Sequence, residues 1–367
     1  MIRHATKKSI LIINLGSMSD TVISSGLIHL TKNSGPRVRL HLLIDERFAP
    51  LMDGHPSIDQ LITVDCSHWD RLFASGRWLE LAREAFKLRK TLQQQHFDLT
   101  LDVQSIWKSA FIAWLSMAKT SVGLGSSGSS AMFIDRSVSR NMGDLVQIGA
   151  EYRYLLSQLG MPDTPWNLYT PTINQSQTTK LTEDIGFDFT KERYALLCPT
   201  GATRQQEWPA NHWQQLALRL RGRYHIKLLI AGSNPTEDTK EIAHATGALD
   251  LSGALSTTQN CLLIKHASAL IGVDSGLTHL GHAYKVPTIA LFGATYPYTY
   301  TGQETSKVLY MDLACSPCKT APICGKRYDC MKELTPDMVI AELKPLMKLT
   351  QSNSFNYTNT AFSTTNT

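Results

Sequence analysis

The stretch GVDSGLTHL at residues 272–280 decides the fold, together with the segment VPTIALFG at residues 286–293. The residues before Asp274 form an apolar run, which is typical of a short buried strand. The run ends in an Asp-Ser-Gly turn, whose small residues and free N–H groups suit a helix start beside a ligand. After one helix, the second apolar run again ends in glycine. The pattern predicts a β-α-β unit with polar side chains at the carboxyl end of its first strand, where open parallel sheets bind ligands.

The same turn has a simpler interpretation, since Asp or Ser before a helix is a common cap. Thr278 and His279 lie within two helical turns of Asp274 and Ser275, and this concentration of polar side chains favours a binding site over a cap alone.

Similar strand–turn–helix patterns occur along the chain. An apolar run at residues 9–15 ends in a Gly/Ser turn before a predicted helix at residues 22–32, and the pattern restarts with strands at residues 194–198 and 226–231. No G-x-G-x-x-G fingerprint is present, which disfavours a nicotinamide dehydrogenase. We predict an α/β fold with two doubly wound Rossmann-like domains whose strand ends face a central cleft.

The turn-rich segment between the two halves of the sequence indicates the domain boundaries. We expect an N-terminal acceptor-binding domain at residues 1–165, a linker at 166–190 and a C-terminal nucleotide-sugar-binding domain at 191–334. A terminal helix at 335–350 is expected to pack back on the N-terminal domain. Residues 351–367 have no charged side chain and are expected to form a disordered tail.

Composition limits the classes of function. The chain has 367 residues, 43% hydrophobic and 18% charged, with a net charge of +5, which predicts globular domains with a substantial core. No dense Lys/Arg stripe with interleaved aromatic residues indicates nucleic-acid binding. The sequence shows no membrane span and no apolar leader segment, so we expect a cytoplasmic protein whose seven cysteines are reduced.

Several segments together resemble the heptosyltransferases, inverting GT-B glycosyltransferases that transfer heptose from ADP-heptose to the lipopolysaccharide core. Residues 274–280 with 287–297 match the family pattern D-[ST]-G-L-x-H-L followed by P-x-x-A-L-F-G-x-T-x-P. Residues 12–20 resemble its strand and G-D loop, and residues 102–109 resemble its D-x-Q-x-x-x-K-S. The resemblance covers the chain up to about residue 349.

The resemblance implies an inverting transferase that moves heptose from ADP-heptose to the inner core of lipopolysaccharide. The partners implied are a nucleotide-sugar donor and a lipopolysaccharide acceptor at the inner membrane surface, which would add a peripheral membrane location. It implies no catalytic metal or cofactor. Two alternatives remain open: a protein O-heptosyltransferase acting on Ser of a surface protein, and a non-catalytic sugar-nucleotide-binding protein.

Such a transfer needs a base for the incoming hydroxyl and stabilisation of the departing pyrophosphate. The resemblance implies Asp20 as the base, although an aspartate at a helix start can also be an ordinary cap. Backbone N–H groups at a helix N-terminus can hold a pyrophosphate. His279 is expected either to donate on the phosphate side or to pack the helix. The expected donor-binding residues are Thr200, Thr203, Arg204, Gln206, Ser233, Glu237, Asp274, Ser275, Gly276, Leu277 and His279.

One donor-side position departs from the family pattern. Relatives usually place a lysine two residues before the Trp208-Pro209 pair, where this chain has Gln206. Arg204 is near enough in sequence to substitute for that lysine, but a guanidinium at another offset need not reach the same oxygen. This departure motivates the non-catalytic alternative.

The expected acceptor-binding residues are Asp102, Gln104 and Lys108, which follow a predicted strand end. Binding and ordinary helix-start roles are equally open for Gln104 and Lys108. Arg47 and Arg136 are candidates for added positive charge, and a solvated-surface role is at least as well supported for each.

Four of the seven cysteines lie close together in sequence: Cys315, Cys318, Cys324 and Cys330. A C-x-x-C pair with two further cysteines in a reduced compartment is typical of a tetrahedral zinc or iron site. The second pair has five intervening residues, which constrains the geometry less, so a structural metal stays one alternative. Cys66, Cys198 and Cys261 lie in apolar surroundings and are expected in the core.

Overall fold

The computed structural model describes residues 8–35, 37–140, 147–162, 165–173, 175–295, 297–318 and 321–360. The chain divides into two compact units. One consists of Met1–Leu145 and Gly149–Thr172, and the other of Val146–Ile148 and Ile173–Thr367. The main division, after Thr172, falls within the expected linker.

The first unit contains a six-stranded parallel sheet. Its central strands, such as the apolar run at residues 10–13, are buried on both faces, as parallel strands covered by helices are. The strands are β1 (Lys8–Asn14), β2 (Val38–Asp45), β3 (Gln60–Val64), β4 (Leu99–Asp102), β5 (Ser121–Leu124) and β6 (Arg136–Val138). Their spatial order is β3-β2-β1-β4-β5-β6, the order of a doubly wound Rossmann-like sheet.

Five helices flank this sheet in the described residues of the first unit. They are α1 (Met18–Lys32), α2 (Cys66–Ala74), α3 (Trp78–Gln93), α4 (Trp107–Leu115) and α5 (Ala150–Gln158). Helix α3 shows how the sequence directs packing, because Ala85, Leu88 and Leu92 recur at helical spacing and are buried against Leu11 and Phe97.

The second unit repeats the arrangement. Its strands are β7 (Tyr194–Cys198), β8 (Lys227–Ile230), β9 (Leu249–Asp250), β10 (Ala269–Val273), β11 (Thr288–Phe292) and β12 (Ser306–Tyr310), all paired in parallel. The order β12-β11-β10-β7-β8-β9 is that of the first sheet when its strands are numbered from β7. The predicted fold class, two doubly wound α/β units, is confirmed.

The helices described in the second unit are α6 (Gln175–Ile185), α7 (Ala210–Tyr224), α8 (Glu237–Thr246), α9 (Thr257–His266), α10 (Gly276–Ala283), α11 (Asp329–Lys332) and α12 (Pro336–Thr360). The fully buried rings of Trp208 and Trp213 meet edge to face at 4.9 Å in the core of this unit. The Trp208 indole N–H also donates to the Leu334 carbonyl at 2.8 Å, which ties the start of α7 to the chain before α12.

The terminal helix α12 packs in a different unit from the one expected. Val339, Leu343 and Leu346 of α12 are buried in the same core as Trp208 and Ile289, so α12 belongs to the second unit, not to the N-terminal domain as expected. The apolar face of α12 packs on strands β11 and β12 and against helix α7.

Two further expectations concern the ends of elements. The expected linker contains helix α6, whose Leu181 is fully buried, so part of it is ordered structure. Residues 351–360, expected to be disordered, continue α12, and residues 361–367 of the expected tail lie outside the described residues. In the part of the chain that the structure describes, no helix is both long and apolar enough to cross a membrane.

Candidate active site

The predicted site residues lie at the two points where strand order reverses. In the first sheet β1 and β4 are neighbours, with Ile13 beside Asp102, and in the second β7 and β10 are neighbours, with Cys198 beside Gly272. From each such pair the connecting helices leave in opposite directions, so the carboxyl ends of the two strands border a crevice that binds ligands in open α/β sheets.

In the first unit the crevice is organised by Asn14, which is buried at the end of β1. Its carbonyl oxygen accepts from the Gln104 amide at 2.9 Å and from the Gly16 N–H at 3.0 Å, while its own amide donates to Ser24 at 2.7 Å. These bonds join the loops after β1 and β4. Gln104 is therefore held in place with part of its surface exposed.

Asp20 caps the first turn of α1. Its Oδ2 accepts from the Ser17 N–H at 2.8 Å and from the Ser17 hydroxyl at 2.7 Å, and the Asp20 N–H donates to Ser17 Oγ at 3.2 Å. This reciprocal capping box fixes the carboxylate beside Gly16. The carboxylate remains partly exposed, so the capping role and a role as base are compatible.

Asp102 differs from its expected role in acceptor binding. It is fully buried, and its oxygens accept from the backbone N–H groups of Gln104 and Ser105 and from the Ser109 hydroxyl. Burial raises the pKa of Asp102 in spite of these bonds. A carboxylate without solvent exposure cannot contact an acceptor, so Asp102 orders the loop that carries Gln104.

Lys108 begins α4 and forms an ion pair with Asp70 of α2. Arg47 forms a two-pronged contact with buried Asp45, at 2.9 and 2.8 Å, and Arg136 donates to the carbonyl of Gln158 at 3.1 Å. All three cations therefore have partners within the first unit, and Lys108 is the one that follows the Gln104 loop in sequence.

In the second unit the crevice begins at the N-terminus of α10. Ser275 is its cap and accepts from the Thr278 N–H at 3.4 Å. Thr278 turns inward and donates to the Val273 carbonyl at 2.7 Å. Among the described hydrogen bonds, the N–H groups of Gly276 and Leu277 have no protein acceptor, so they are available to an anion at this helix end.

His279 is buried and links two other residues. Its Nε2 lies 3.2 Å from Oδ1 of Asp274, and its Nδ1 lies 2.5 Å from the Tyr298 hydroxyl. Burial, followed by the charge of Asp274, raises the pKa of Tyr298 far above its usual value, so this hydroxyl keeps its proton and can donate to Nδ1. Nε2–H then donates to Asp274, because a carboxylate only accepts.

These contacts correct the expected role of His279. With both ring nitrogens engaged and 1% of its surface exposed, it does not donate to a phosphate but orients Asp274. Burial alone would raise the pKa of Asp274, yet the hydrogen bond that it accepts from His279 lowers the pKa below its ordinary value. Asp274 is therefore ionised at neutral pH and partly exposed in the crevice.

Gln206 contacts Asp274 from the other side. Its amide nitrogen lies 3.3 Å from Asp274 Oδ2, and its carbonyl oxygen accepts from the N–H and hydroxyl of Thr203 at 3.0 and 3.1 Å. The side chain is thus fixed between the loop after β7 and the start of α10. A neutral amide stands where relatives of the resembled family usually have a cation.

Arg204 does not fill that place. Its guanidinium pairs with Asp238 at 2.5 Å and with Glu207 at 2.7 Å, and these two hydrogen bonds raise its pKa. The suggestion that Arg204 substitutes for the missing lysine is not supported, because two carboxylates already neutralise it.

The remaining residues that were expected to bind the donor lie on neighbouring loops. Thr200 follows β7, and its hydroxyl lies against Gly232, where a side chain would collide with it. Ser233 is exposed in the next loop, and Glu237 is exposed at the start of α8, where it pairs with Lys240 at 2.8 Å. Thr200 therefore borders the crevice closely, while Ser233 and Glu237 lie further along the same edge.

The cysteine segment packs beside this unit's sheet. Cys330 is buried against Gly293 at the end of β11, and burial, followed by the nearby thiols of Cys315, Cys318 and Cys324, raises its pKa. Across the residues described, no group of three or more His, Cys, Asp or Glu side chains is arranged to hold a metal ion. The alternative of a structural metal at these four thiols therefore gains no support from the described residues. Cys66, Cys198 and Cys261 are buried, as predicted.

Sequence reasoning missed three residues of these networks: Asn14, Arg140 and Tyr298. Arg140 donates to Glu151 at 2.7 Å and to the carbonyls of Val103 and Gln104, which supports the Gln104 loop. Asn14 ends an apolar strand, and an isolated amide in such a run is a signal that could have been used. Tyr298 lies next to the P-x-x-A-L-F-G-x-T-x-P segment, but no local sequence pattern indicates that it pairs with His279.

Two parallel α/β sheets of this topology, each flanked by helices, match the GT-B-like architecture of solved heptosyltransferase structures. The family model for glycosyltransferase family 9 (heptosyltransferase) matches residues 85–328. The chain belongs to this family.

The relatives support the same class. The chain is 33% identical over 153 residues to a lipooligosaccharide heptosyltransferase 2 of Campylobacter jejuni, a match that covers 39% of this chain and 47% of that protein. The chain therefore spans about half the length of that relative. It is 25% identical over 329 residues to a lipopolysaccharide heptosyltransferase 1 of Pseudomonas aeruginosa, covering 84% of this chain and 85% of that protein.

A solved structure shares the fold. The structure of the Escherichia coli ADP-heptose lps heptosyltransferase II superposes with a TM-score of 0.70 at 17% identity, covering 94% of this chain and 99% of that one.

Proposed function

We propose that the protein is an inverting heptosyltransferase that moves heptose from ADP-heptose to the inner core of lipopolysaccharide. The observation that carries the proposal is the placement of polar groups at both strand-reversal points. One has a partly exposed carboxylate and amide, Asp20 and Gln104, and the other has a helix N-terminus beside the ionised Asp274. The names of the relatives supply the substrate class.

In this proposal the second unit holds the donor. The pyrophosphate lies at the N-terminus of α10, where the N–H groups of Gly276 and Leu277 and the helix dipole stabilise its negative charge. Asp274 accepts hydrogen bonds from sugar hydroxyls, since a carboxylate pointed at phosphate would repel it. His279, Tyr298 and Gln206 keep Asp274 oriented for that contact.

The first unit holds the acceptor and supplies the base. Asp20 takes the proton from the acceptor hydroxyl as its oxygen attacks the anomeric carbon, and the bond from that carbon to the pyrophosphate breaks. Attack from the side opposite the leaving group inverts the configuration. Gln104 and Lys108 position the phosphate-bearing core sugars, and the acceptor is presented at the cytoplasmic surface of the inner membrane.

Asp20→Asn tests the base directly. Asparagine keeps an oxygen that can accept from Ser17 but cannot take up a proton, so kcat should fall by about 100- to 10,000-fold while the thermal midpoint stays close to wild type. Ser17→Ala is the matched control, because it breaks the capping box from the Ser17 side, at a cost of about 1 kcal/mol of stability, without removing the base.

The assay measures ADP release from ADP-heptose with a heptose-deficient lipopolysaccharide acceptor. If Asp20→Asn keeps a kcat as high as that of Ser17→Ala, Asp20 is a cap and not the base. If the sugar is added to Ser residues of a protein and not to lipopolysaccharide, the acceptor assignment is wrong while the donor chemistry stands. Tight ADP-heptose binding without turnover on either acceptor contradicts the enzymatic proposal.

A further inference from the structure

Helices α2, α3 and α4 carry an exposed aromatic face on the first unit. Large apolar side chains normally lie inside, and a contiguous exposed group of them marks an interaction surface. The exposed residues of this face, named the aromatic face below, are Phe73, Trp78, Leu79, Phe86, Trp107 and Trp114.

The rings form connected contacts. Phe73 meets Trp78 edge to face at 4.9 Å and lies 5.7 Å from Trp107, so α2 joins α3 and α4. Phe111 stacks on Trp114 at 5.8 Å, one helical turn further along α4. A groove between the three helices, lined by Phe73, Trp107 and Phe111, connects the two groups of rings. Phe73, Trp78, Trp107 and Trp114 therefore belong to one surface, and Leu79 follows Trp78 directly along α3.

Basic side chains are interleaved with it on the outer side of α3. Leu79 and Phe86 are 78% and 70% exposed, and at helical spacing they share their face with Arg83, Lys87 and Lys90. Within the described residues, none of these three cations forms an ion pair, and Glu80 of the same helix pairs with Arg77. Glu84, which lies beside them on α3, is a single carboxylate against three cations, so this side of α3 carries a net positive charge.

We propose that the aromatic face binds the surface of an anionic lipid bilayer. Trp and Phe rings enter the headgroup region, where amphipathic aromatic side chains are favoured, and Arg83, Lys87 and Lys90 meet the lipid phosphates. A second protein surface could cover the rings, but a row of unpaired cations beside exposed Leu and Phe is the pattern of a helix that lies in a membrane interface.

The aromatic face lies in the unit that is proposed to bind the acceptor. Its biological role therefore rests on the proposed function. Trp107 and Lys108 open α4 only a few residues after Gln104, whose loop is placed at the reversal point of the first sheet. Docking through this face brings the Gln104 loop beside the lipid surface. A lipid-anchored acceptor then diffuses in two dimensions to the site instead of leaving the bilayer.

Vesicle flotation tests the proposal with the full-length protein. Wild type should bind vesicles of phosphatidylglycerol mixed with phosphatidylcholine, bind phosphatidylcholine alone weakly, and lose binding as salt screens the lipid charge. Arg83→Gln/Lys87→Gln/Lys90→Gln should weaken binding by at least about tenfold, since each basic residue near an anionic surface is worth about fivefold. Leu79→Gln/Phe86→Gln should weaken it by about tenfold through lost apolar burial.

Two matched controls lie on the second unit. Lys265→Gln/Lys307→Gln/Lys332→Gln removes the same charge from exposed positions, and Leu218→Gln/Ile323→Gln replaces comparably exposed apolar residues. Both should bind vesicles as wild type does. Equal binding of wild type to anionic and neutral vesicles, or unchanged binding of both face variants, overturns the proposal. Conversion of a wild-type dimer to a monomer by Leu79→Gln/Phe86→Gln without vesicle binding shows that a second copy covers the face.

Activity separates this proposal from the proposed function. The face variants should transfer sugar to a deacylated, water-soluble core acceptor at the wild-type rate and lose activity only on acceptor embedded in vesicles. If wild type transfers no sugar to either acceptor yet floats with anionic vesicles through this face, the transferase proposal fails and the membrane proposal stands. If the face variants lose the same fraction of transferase activity on the soluble acceptor and on the vesicle-embedded acceptor, the aromatic face has no docking role.

Discussion

The amide nitrogen of Gln206 lies 3.3 Å from Oδ2 of Asp274, so a neutral donor contacts the carboxylate at the start of α10. The position is buried, and the other end of the same amide accepts two hydrogen bonds from Thr203. The contact connects the loop after β7 with the loop after β10, the two strands at which the order of the second sheet reverses.

Gln206→Glu should destabilise the second unit and weaken donor binding. The substitution keeps the shape and the oxygen that accepts from Thr203, but it places a second carboxylate beside Asp274. Leaving a buried charge against a like charge should cost on the order of 1–3 kcal/mol at pH 7. The pKa of the new carboxyl is raised, so the loss should shrink as pH falls. Urea unfolding at pH 7 and pH 5.5 measures it.

Gln259→Glu is the control for that change. Gln259 occupies the same position of a capping box at α9, where its oxygen accepts from the Ser256 N–H at 2.9 Å, but it is partly exposed to solvent. A carboxylate at this helix start should be neutral or slightly stabilising. Equal destabilisation by Gln206→Glu and Gln259→Glu would show that the Asp274 contact is unimportant.

Gly16→Ala should reduce activity more than stability. A Cβ at Gly16 would lie 2.5 Å from an Asp20 oxygen and would also overlap the Gln104 amide. Both obstructing groups are the ends of flexible side chains, so the fold can accommodate the methyl by moving them. We expect a thermal midpoint within a few degrees of wild type and a loss of at least about tenfold in kcat/KM, because misplacing catalytic groups by about 1 Å is costly.

Gly35→Ala provides the comparison, since a Cβ there meets only a Val38 methyl at an ordinary 3.6 Å. Its kinetics should equal those of wild type. Unchanged kcat/KM in Gly16→Ala would remove the argument that Asp20 and Gln104 act together beside this glycine.

The sequence predicted both sheets because each buried strand is a continuous apolar run bounded by glycine, proline or polar turns. The same runs placed Gln104 and Ser275 directly after strand ends, where the structure has them, whereas Asp20 lies inside α1, which begins at Met18 and not at residue 22. Long-range pairing was not predictable. Arg204 meets Asp238 across 34 residues, and His279 meets Tyr298 across 19, and neither spacing follows a helical or strand period. The apolar residues of α12 predict that one face of this helix is buried, but they do not indicate which of the two sheets it packs against.

Tyr298→Phe should uncouple Asp274 from its support. The phenyl ring keeps its edge-to-face contact with Phe292, but Nδ1 of buried His279 loses its partner. An unsatisfied buried nitrogen costs about 1–3 kcal/mol, and Asp274 should be less well oriented. We expect lower stability together with a higher KM for the sugar nucleotide, measured by thermal unfolding and steady-state kinetics.

Tyr194→Phe is matched to that variant, because the buried Tyr194 hydroxyl donates to the Leu263 carbonyl at 2.5 Å away from the crevice. It should lower stability to a similar extent and leave KM unchanged. A KM effect of the same size in both variants would indicate general loosening of the second unit and not a specific role for Tyr298.

Acid should destabilise the fold from about pH 6.5 downward. Burial lowers the pKa of His41 and His282 and lowers the pKa of His55 to about 4. Below the unfolded value of about 6.5, the unfolded chain binds protons that the folded chain excludes. Each such histidine then removes up to about 1.4 kcal/mol of stability per pH unit. Carboxylates with lowered pKa values, such as Asp45 and Asp98, lose their contribution only near and below about pH 4.

His41→Phe isolates one of these groups. His41 is fully buried, contacts Phe97 edge to face at 5.1 Å, and within the described residues neither of its ring nitrogens has a hydrogen-bond partner. A phenyl ring keeps the packing and cannot be protonated, so the unfolding free energy should fall less steeply between pH 6.5 and pH 5. His244→Gln, at an exposed position of α8, should follow the wild-type curve. If His41→Phe and wild type have the same slope in urea titrations across this range, His41 is not among the groups that make the fold sensitive to acid.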